Sequence, residues 1–216
     1  MSSKDRLWKL KEALMKKMVL ASQNKHKLKE IEKITKDFGI SLMTMSEAGL
    51  GDLDVVEDKD TFEGNSEKKA REVMEASGLP AIADDSGLMV DALGGDPGVY
   101  SARFSGPGAT YESNNKKLLE LMKDVPQDKR TARFVSVITA VYTDGRKIVA
   151  RGEIEGTIAF EEKGQGGFGY DPLFYVPQKG KTFAELSEDE KNAIRHRANA
   201  LVLLRELLEA EEAGRK

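Results

Sequence analysis

The sequence predicts an α/β protein with a mixed β-sheet. In the first half of the chain, short apolar runs alternate with helical patterns, which is typical of parallel strands joined by helices. In the second half, two long β-rich segments meet at Asp144 and Gly145, a strong hairpin signal. At 216 residues the chain can bury one substantial core and is short for two independent enzyme domains. We therefore expect one domain. A chain of this length still allows that domain to have two lobes around a cleft.

Capping and breaking residues set the expected boundaries. Gly39 ends a helical pattern that follows Asn24, Thr61 caps a helix that Gly78 ends, and a Ser-x-x-Glu capping box begins at Ser187. The strand that begins at residue 80 is expected to stop at residue 84, where polar residues follow. The predicted strands cover residues 18–22, 40–43, 80–83, 130–143, 146–158 and 173–177, and the predicted helices cover residues 25–39, 61–78, 110–122 and the segment after 187.

Composition excludes several classes of function. The chain has no cysteine and two distant histidines, so we expect no disulfide, no thiolate nucleophile and no sulfur- or histidine-rich metal site. The net charge of −3 predicts no large nucleic-acid surface, and no apolar run is long enough to cross a membrane.

We expect residues 1–17 to be an extension that precedes a single domain at 18–216. The extension is a candidate short amphipathic helix, and it lacks the pattern of a secretory signal. We expect a cytoplasmic protein.

The segment GQGGFGYD, from Gly164 to Asp171, begins with the glycine pattern of dinucleotide-binding folds. That fingerprint needs a strand directly before it and a helix that opens inside it. The approach here is polar and the exit contains a proline and a β-rich run, so a dinucleotide site is not favoured. The glycines leave the backbone around Phe168 free to present its ring, either to a flat nucleobase or only to the core.

Two segments are suited to phosphate. Ser22, Asn24 and Lys27 join a strand to a helix N-terminus, where an anion is favoured, although Asn24 could simply cap the helix. Asn65 and Lys69 are four residues apart on the next helix and so share a face. The alternative for Lys69 is an ordinary solvated lysine.

The sequence ADDSG is a sharper signal for chemistry. Side chains alternate along a strand, so Asp84 and Asp85 should point to opposite faces unless the strand has ended, with one structural and one functional. A site with few carboxylates and only oxygen ligands suits Mg²⁺, which keeps several waters and bridges to substrate phosphates. Glu57 and Asp58, in an acidic loop, are further candidates for ligands.

The last helical segment carries Lys191, His196 and Arg197, which are compatible with a polyanion. On one continuous helix, Lys191 and His196 would lie roughly 140° apart. Both can reach one ligand only if the helix starts later than the capping box, if the lysine reaches around an end, or if the helix is interrupted.

Taken together, the segments SQNKHKLKEI, TFEGNSEKKA, AIADDSGLMVDALGGDPGVYSARFSG, GGFGYDPLFYVP and AELSEDEKNAIRHRANAL closely resemble the Ham1/RdgB family of inosine triphosphate pyrophosphatases. The resemblance implies a long twisted mixed β-sheet flanked by helices, with a substrate cleft between two lobes. It also implies a homodimer that hydrolyses ITP, dITP and XTP to monophosphate and pyrophosphate with Mg²⁺.

The resemblance also assigns roles to residues. Asp85 matches the general base and a metal ligand, and Glu57 matches the other metal-binding acid. The residues that match substrate-binding positions are Ser22, Asn24, Lys27, Asn65, Lys69, Ser86, Phe168, Gly169, Tyr170, Asp171, Lys191, His196 and Arg197.

Two departures from the family and three rival functions remain, one of them the dinucleotide oxidoreductase that the glycine pattern suggests. Arg195 stands where the family usually has a serine, and Gly64 stands where it often has an acid. A Maf-like pyrophosphatase for pyrimidine or modified nucleotides would share the reaction, but its first motif differs from SQNKHK. A non-catalytic nucleotide sensor would bind the same ligands without turnover.

Overall fold

The computed structural model describes residues 17–22, 28, 31, 32, 35 and 40–213. Asn24 and Lys27, and the extension up to residue 16, lie outside the described residues. Of the helix expected after Asn24, the described positions Leu28, Ile31 and Thr35 are helical.

The described strands form one mixed seven-stranded sheet, as the sequence predicts. They are β1 (Lys17–Leu20), β2 (Ser41–Thr44), β3 (Ala81–Val90), β4 (Thr131–Val141), β5 (Lys147–Ile158), β6 (Phe174–Val176) and β7 (Lys181–Thr182). Their order in the sheet is β2-β1-β3-β4-β5-β6-β7. The first three strands are parallel to one another, and β5, β6 and β7 are antiparallel. The turn at Asp144 and Gly145 joins β4 and β5 as a hairpin, which confirms the prediction.

Among the residues whose helical ranges are continuous in the structure, four α-helices flank the sheet: α1 (Phe62–Ser77), α2 (Tyr111–Met122), α3 (Glu188–Ile194) and α4 (His196–Ala213). Thr61 caps α1 by accepting a hydrogen bond from the Gly64 amide, and Gly78 ends it in the left-handed region. Ser187 caps α3 through the predicted capping box. Local capping chemistry therefore fixed these helix ends as expected. Within the described part of the chain, no helix is both long and apolar enough to cross a membrane.

The chain separates into two compact units. The first comprises Met1–Asp85, Val137–Ala150 and Ala200–Lys216, and the second comprises Ser86–Ser136 and Arg151–Asn199. Strands β3, β4 and β5 contribute residues to both.

In the first unit, side chains that alternate along the strands feed two different cores. Met18, Leu20 and Ile82 belong to one buried cluster, together with Leu201 and Leu204 of α4. The intervening residues belong to a second cluster that packs on α1: Val19, Ala21, Ala81 and Ala83 with Ala70 and Val73. Because both faces of these strands are covered, the strands read as continuous apolar runs in the sequence.

The second unit has one core, and aromatic rings dominate part of it. Phe134 of β4 packs on Phe174 of β6 with ring centroids 4.5 Å apart, and on Phe183 with centroids 5.6 Å apart. Phe174 and Phe183 are fully buried. Phe134, Phe174 and Phe183 thus form an aromatic part of the core of the second unit.

Candidate active site

Strand β3 does not stop at Asp84, so the expected end of this strand at Ala83 is wrong. It runs through Asp85 and Ser86 to Val90, and both aspartates are buried, at 1% and 5% exposure. Charged side chains are rare within a buried strand, but the Asp85 carboxylate has a cationic partner here. Since Ala81 and Ala83 face α1, the alternation of side chains directs Asp85 to that same face.

Lys69 of α1 is the cationic partner of Asp85. Its ammonium nitrogen donates to Asp85 Oδ1 at 3.2 Å, to the Asp84 backbone oxygen at 2.9 Å and to Glu57 Oε1. An ammonium has three N–H donors, so these three acceptors account for all of them. Lys69 is 9% exposed. It is therefore not the solvated lysine that the sequence left open as an alternative.

The charge of Lys69 is stabilised by the two carboxylates. Burial alone would lower the pKa of Lys69, but Asp85 and Glu57 outweigh that effect and raise it above its usual value. The lysine consequently stays protonated at neutral pH. We refer to Glu57, Lys69 and Asp85 as the carboxylate–lysine cluster.

Asn65 holds the loop that carries Glu57. Its side chain is fully buried, as expected for a residue on the same face as Lys69, and its Oδ1 accepts the Lys59 amide at 2.9 Å. Its Nδ2 has no hydrogen-bond partner among the described residues. Gly64 leaves room for this loop, because a Cβ there would lie 2.9 Å from Lys59 Cβ. Packing against this loop thus favours glycine at position 64, where the family often has an acidic residue.

The carboxylate–lysine cluster is compatible with Mg²⁺. Glu57 and Asp85 come from different elements and converge on one nitrogen, so the chain already places two carboxylate oxygens around a single cationic position. Among the described residues, no group of three or more acidic or histidine side chains converges in this way. Two carboxylates are enough for Mg²⁺, since it commonly keeps waters and takes substrate phosphates as its other ligands.

In the second unit, the helical segment that carries Lys191, His196 and Arg197 is interrupted. Helix α3 ends at Ile194, Arg195 is extended with φ −66° and ψ 140°, and α4 begins at His196. The angular problem of one continuous helix therefore does not arise. Lys191, Arg195, His196 and Arg197 are all buried, at 0%, 3%, 6% and 2% exposure.

His196 and Arg197 are fixed by neighbours of different kinds. The His196 ring stacks on Phe134, with centroids 5.1 Å apart and planes 20° apart. The Arg197 guanidinium donates to Ser86 Oγ at 3.1 Å. The structure thus brings Ser86 and Arg197, two predicted substrate-binding residues, into direct contact. A buried arginine held in this way is suited to bind a planar or phosphorylated anion.

Lys191 and Arg195 are held by Asp171 of the glycine-rich loop. The Asp171 Oδ2 accepts from Arg195 Nη2 at 3.1 Å, from Lys191 Nζ at 3.4 Å and from the Phe168 amide at 3.3 Å. Burial raises the pKa of the Asp171 carboxyl above its usual value, against the opposing effects of Arg195 and Lys191. The carboxylate thus depends on these two cations for its charge.

The glycines of the loop permit close backbone approach and form no dinucleotide motif. No helix opens between Gly164 and Asp171. Gly167 has a φ of +84°, and a Cβ there would lie 2.0 Å from Asp171 Oδ2 and 2.6 Å from Lys191 Nζ. Only glycine fits at this point.

Phe168, Gly169 and Tyr170 follow in the same loop. The Phe168 ring lies 6.2 Å from the exposed ring of Tyr111. Gly169 has a φ of +63°, which favours glycine. Tyr170 is buried and donates from its hydroxyl to the Ser101 backbone oxygen at 2.8 Å, so it anchors the loop.

Ser22 lies two residues after the end of β1 and is half-buried, and its amide donates to the Leu20 oxygen at 2.9 Å.

Arg195 is a buried residue that the sequence did not single out as a candidate, since there it stood out only as a departure from the family's serine. Its burial beside Asp171 becomes visible once the helix break places it against the loop. The sequence held no separate signal for Arg195, because it stands among the other cationic residues Lys191 and Arg197.

The sequence matches a known family model. The Ham1 family model matches residues 18–207. A dITP/XTP pyrophosphatase of Clostridium perfringens is 52% identical over 200 residues, which cover 90% of this chain and 98% of that protein. A dITP/XTP pyrophosphatase of Escherichia coli is 48% identical over 196 residues, with 90% and 98% coverage.

Solved structures are similar as well. The Ham1 protein of Staphylococcus aureus has a TM-score of 0.82 at 42% identity and covers 90% of this chain and 99% of its own. A HAM1 protein of Coxiella burnetii has a TM-score of 0.83 at 41% identity, with 90% and 98% coverage. The fold and the sequence therefore point to the same relatives.

Proposed function

The chain belongs to the Ham1 family, and on that premise we propose that it hydrolyses the non-standard purine nucleoside triphosphates dITP, XTP and ITP to monophosphate and pyrophosphate. The relatives that are named for dITP and XTP are about half identical over nearly the whole chain. Such an enzyme removes non-standard purines from the nucleotide pool.

The observation that carries the proposal is the convergence of Glu57 and Asp85 on one cationic position. Hydrolysis of a triphosphate needs its negative charge to be offset and a water to be oriented toward phosphorus. We propose that these two residues hold Mg²⁺, which would supply charge neutralisation and activation of water. Asp85 is only 5% exposed, and a buried carboxylate with no catalytic role would be a poor solution for stability alone.

The residues of the chain have separate roles in this proposal. Asp85 orients the attacking water toward the α-phosphorus and accepts its proton. A bond forms between the water oxygen and the α-phosphorus, and the bond to the oxygen that bridges to the β-phosphate breaks. Pyrophosphate then leaves. The remaining phosphate charge is offset by Lys27, Lys69 and Lys191. Hydrogen bonds to the substrate come from Ser22, Asn24 and Asn65. The choice of the α-phosphorus follows from the family resemblance.

The base is read by residues of the second unit. Phe168, in the loop with Gly169 and Tyr170, stacks on the purine, and His196 or Arg197 donates to the six-position oxygen. The adenine amino group would not accept these hydrogen bonds, so ATP is rejected. Guanine shares the oxygen, so its rejection requires that its exocyclic amine be left unpaired or sterically excluded.

A single assay tests the reaction. The protein is incubated with Mg²⁺ and ITP, dITP, XTP, GTP, ATP or TTP, and monophosphate, pyrophosphate and orthophosphate are quantified. We expect pyrophosphate mainly from ITP, dITP and XTP, and loss of turnover in Asp85→Asn. Asp52→Asn, in an exposed part of the acidic loop, is the matched control. Orthophosphate as the primary product would refute the proposal.

The same assay separates the rival functions. Turnover that favours TTP would indicate a Maf-like preference, which the family match disfavours. Binding of ITP without turnover would indicate a nucleotide sensor. Chelation of Mg²⁺ with EDTA should abolish turnover, and its return on addition of MgCl₂ identifies the metal.

We also propose that the protein is a homodimer and acts in the cytoplasm, as expected from the resemblance and the sequence. Light scattering coupled to size exclusion tests the first point, with a mass near twice 23.8 kDa expected. Cell fractionation with an antibody to the chain tests the second.

A further inference from the structure

Arg195 is buried in an unusual place. It lies at the break between α3 and α4, where its amide donates to the Lys191 oxygen at 2.9 Å, and the residue is only 3% exposed. Arginine is almost never fully buried unless its charge is paired. The position therefore needs a specific reason, and the contacts of the guanidinium supply one.

The guanidinium contacts both ends of the segment from Phe168 to Asp171. Its Nη2 donates to Asp171 Oδ2 at 3.1 Å, and its Cζ lies 5.4 Å from the centroid of the Phe168 ring. The Asp171 carboxylate also accepts the Phe168 amide at 3.3 Å. Phe168, Asp171 and Arg195 thus form a closed set of three contacts.

The same guanidinium connects Phe168 to the aromatic part of the core of the second unit. Its Cζ lies 5.9 Å from the centroid of Phe183, a fully buried ring that stacks on Phe134. Phe134 in turn stacks on His196. The two groups proposed to contact the base, Phe168 and His196, are therefore held by one continuous series of planar groups, and Arg195 joins the loop to it.

We propose that Arg195 is a positioning residue that sets the plane of the Phe168 ring for stacking on the purine. The inference rests on the proposed function and deepens it. A planar guanidinium can lie over an aromatic ring and pair with a carboxylate at the same time, whereas an ammonium offers a point charge. Arg195 is not required to contact the substrate in this role.

Two substitutions separate the stacking role from the charge. Arg195→Met keeps much of the volume and removes both contacts. Arg195→Lys keeps a cation for Asp171 and removes the planar surface. We expect Arg195→Lys to retain a melting temperature close to wild type, while both variants weaken ITP binding about tenfold, within the range of a base stacked on an aromatic ring. Arg151→Met, at an exposed arginine paired with Glu153, is the control.

The decisive experiment is a double-mutant cycle between Arg195→Met and Phe168→Leu. Dissociation constants for ITP are measured by calorimetry, and KM and kcat are measured in the pyrophosphate assay. We expect Arg195→Met to raise Kd and KM about tenfold with kcat changed less than about threefold. In the Phe168→Leu background the same change should have less than about a twofold effect, because the ring that Arg195 positions is gone.

The outcomes are distinguishable. An undiminished effect of Arg195→Met in the Phe168→Leu background would overturn the inference, as would full recovery of ITP binding by Arg195→Lys. Wild-type turnover of ITP with no effect of Arg195→Met overturns the inference and leaves the proposed function intact. Absence of both ITP binding and turnover in the wild type overturns both.

Discussion

Removal of the Lys69 ammonium should destabilise the protein and expose its cation site. In Lys69→Met, Glu57 and Asp85 lose the cation on which they converge, and Asp85 is only 5% exposed. Breaking a buried ion pair from one side costs about 3–5 kcal/mol. We expect about 3 kcal/mol, because water can still reach Glu57. For a chain of this length that corresponds to a fall in Tm of about 6–12 °C.

Mg²⁺ should reverse part of this loss. Binding to the folded state alone stabilises by about 1.4 kcal/mol when the ion is at ten times its dissociation constant. In the wild type the ion competes with the Lys69 ammonium, so the gain in Tm on addition of MgCl₂ should be larger in Lys69→Met. The assay is thermal unfolding in EDTA and in MgCl₂, followed by circular dichroism.

The matched control is Lys68→Met on the same helix. Lys68 pairs with the exposed carboxylate of Asp58 at 2.8 Å, and exposed pairs contribute less than about 1 kcal/mol. Its loss should therefore leave Tm and the response to Mg²⁺ nearly unchanged. An unchanged Tm for Lys69→Met, or an equal Mg²⁺ response in both variants, would refute the reasoning about the cluster.

Three further predictions concern the second unit. Gly167→Ala should lower Tm and weaken ITP binding, because its Cβ would overlap the Asp171 carboxylate, whereas Gly169→Ala, with nothing within 4 Å of the added Cβ, should cost only about 1 kcal/mol of backbone strain. Arg130→Met should cost about 3–5 kcal/mol in urea unfolding, because this buried side chain donates to four backbone carbonyls. Glu190→Gln should lower Tm at pH 7. Since hydrogen bonds at the Ser187 cap lower the pKa of Glu190, that carboxylate stabilises the fold above its ordinary pKa, and the difference from wild type should shrink as the pH falls below that value and vanish below the lowered pKa of the folded state.

The sequence predicted features that depend on neighbouring residues along the chain. Thr61 and Gly78 mark the ends of α1, and Ser187 marks the start of α3, because capping is settled within one turn of helix. The Asp144 and Gly145 turn specified the long hairpin for the same reason. The shared face of Asn65 and Lys69 follows from helical geometry alone.

The remaining features depend on partners that are distant in sequence. Strand β3 continues through Asp85 because Lys69, on another element, neutralises it, and no local pattern carries that information. From the sequence, the break at Arg195 was only one of the ways in which Lys191 and His196 could reach the same ligand. The apolar periodicity continues through Arg195, so it does not mark the end of a helix there. Asp171 closes the loop onto Lys191 and Arg195 for reasons that appear only when these helices are packed.

Hydrolysis of ITP in H₂¹⁸O tests the central claim most directly. If water attacks the α-phosphorus with Asp85 as the base, mass spectrometry will find one ¹⁸O in the inosine monophosphate and none in the pyrophosphate, and Asp85→Asn will abolish the labelled product while Asp52→Asn leaves it unchanged. Label in pyrophosphate or orthophosphate, or labelled monophosphate formed at an undiminished rate by Asp85→Asn, would contradict the account.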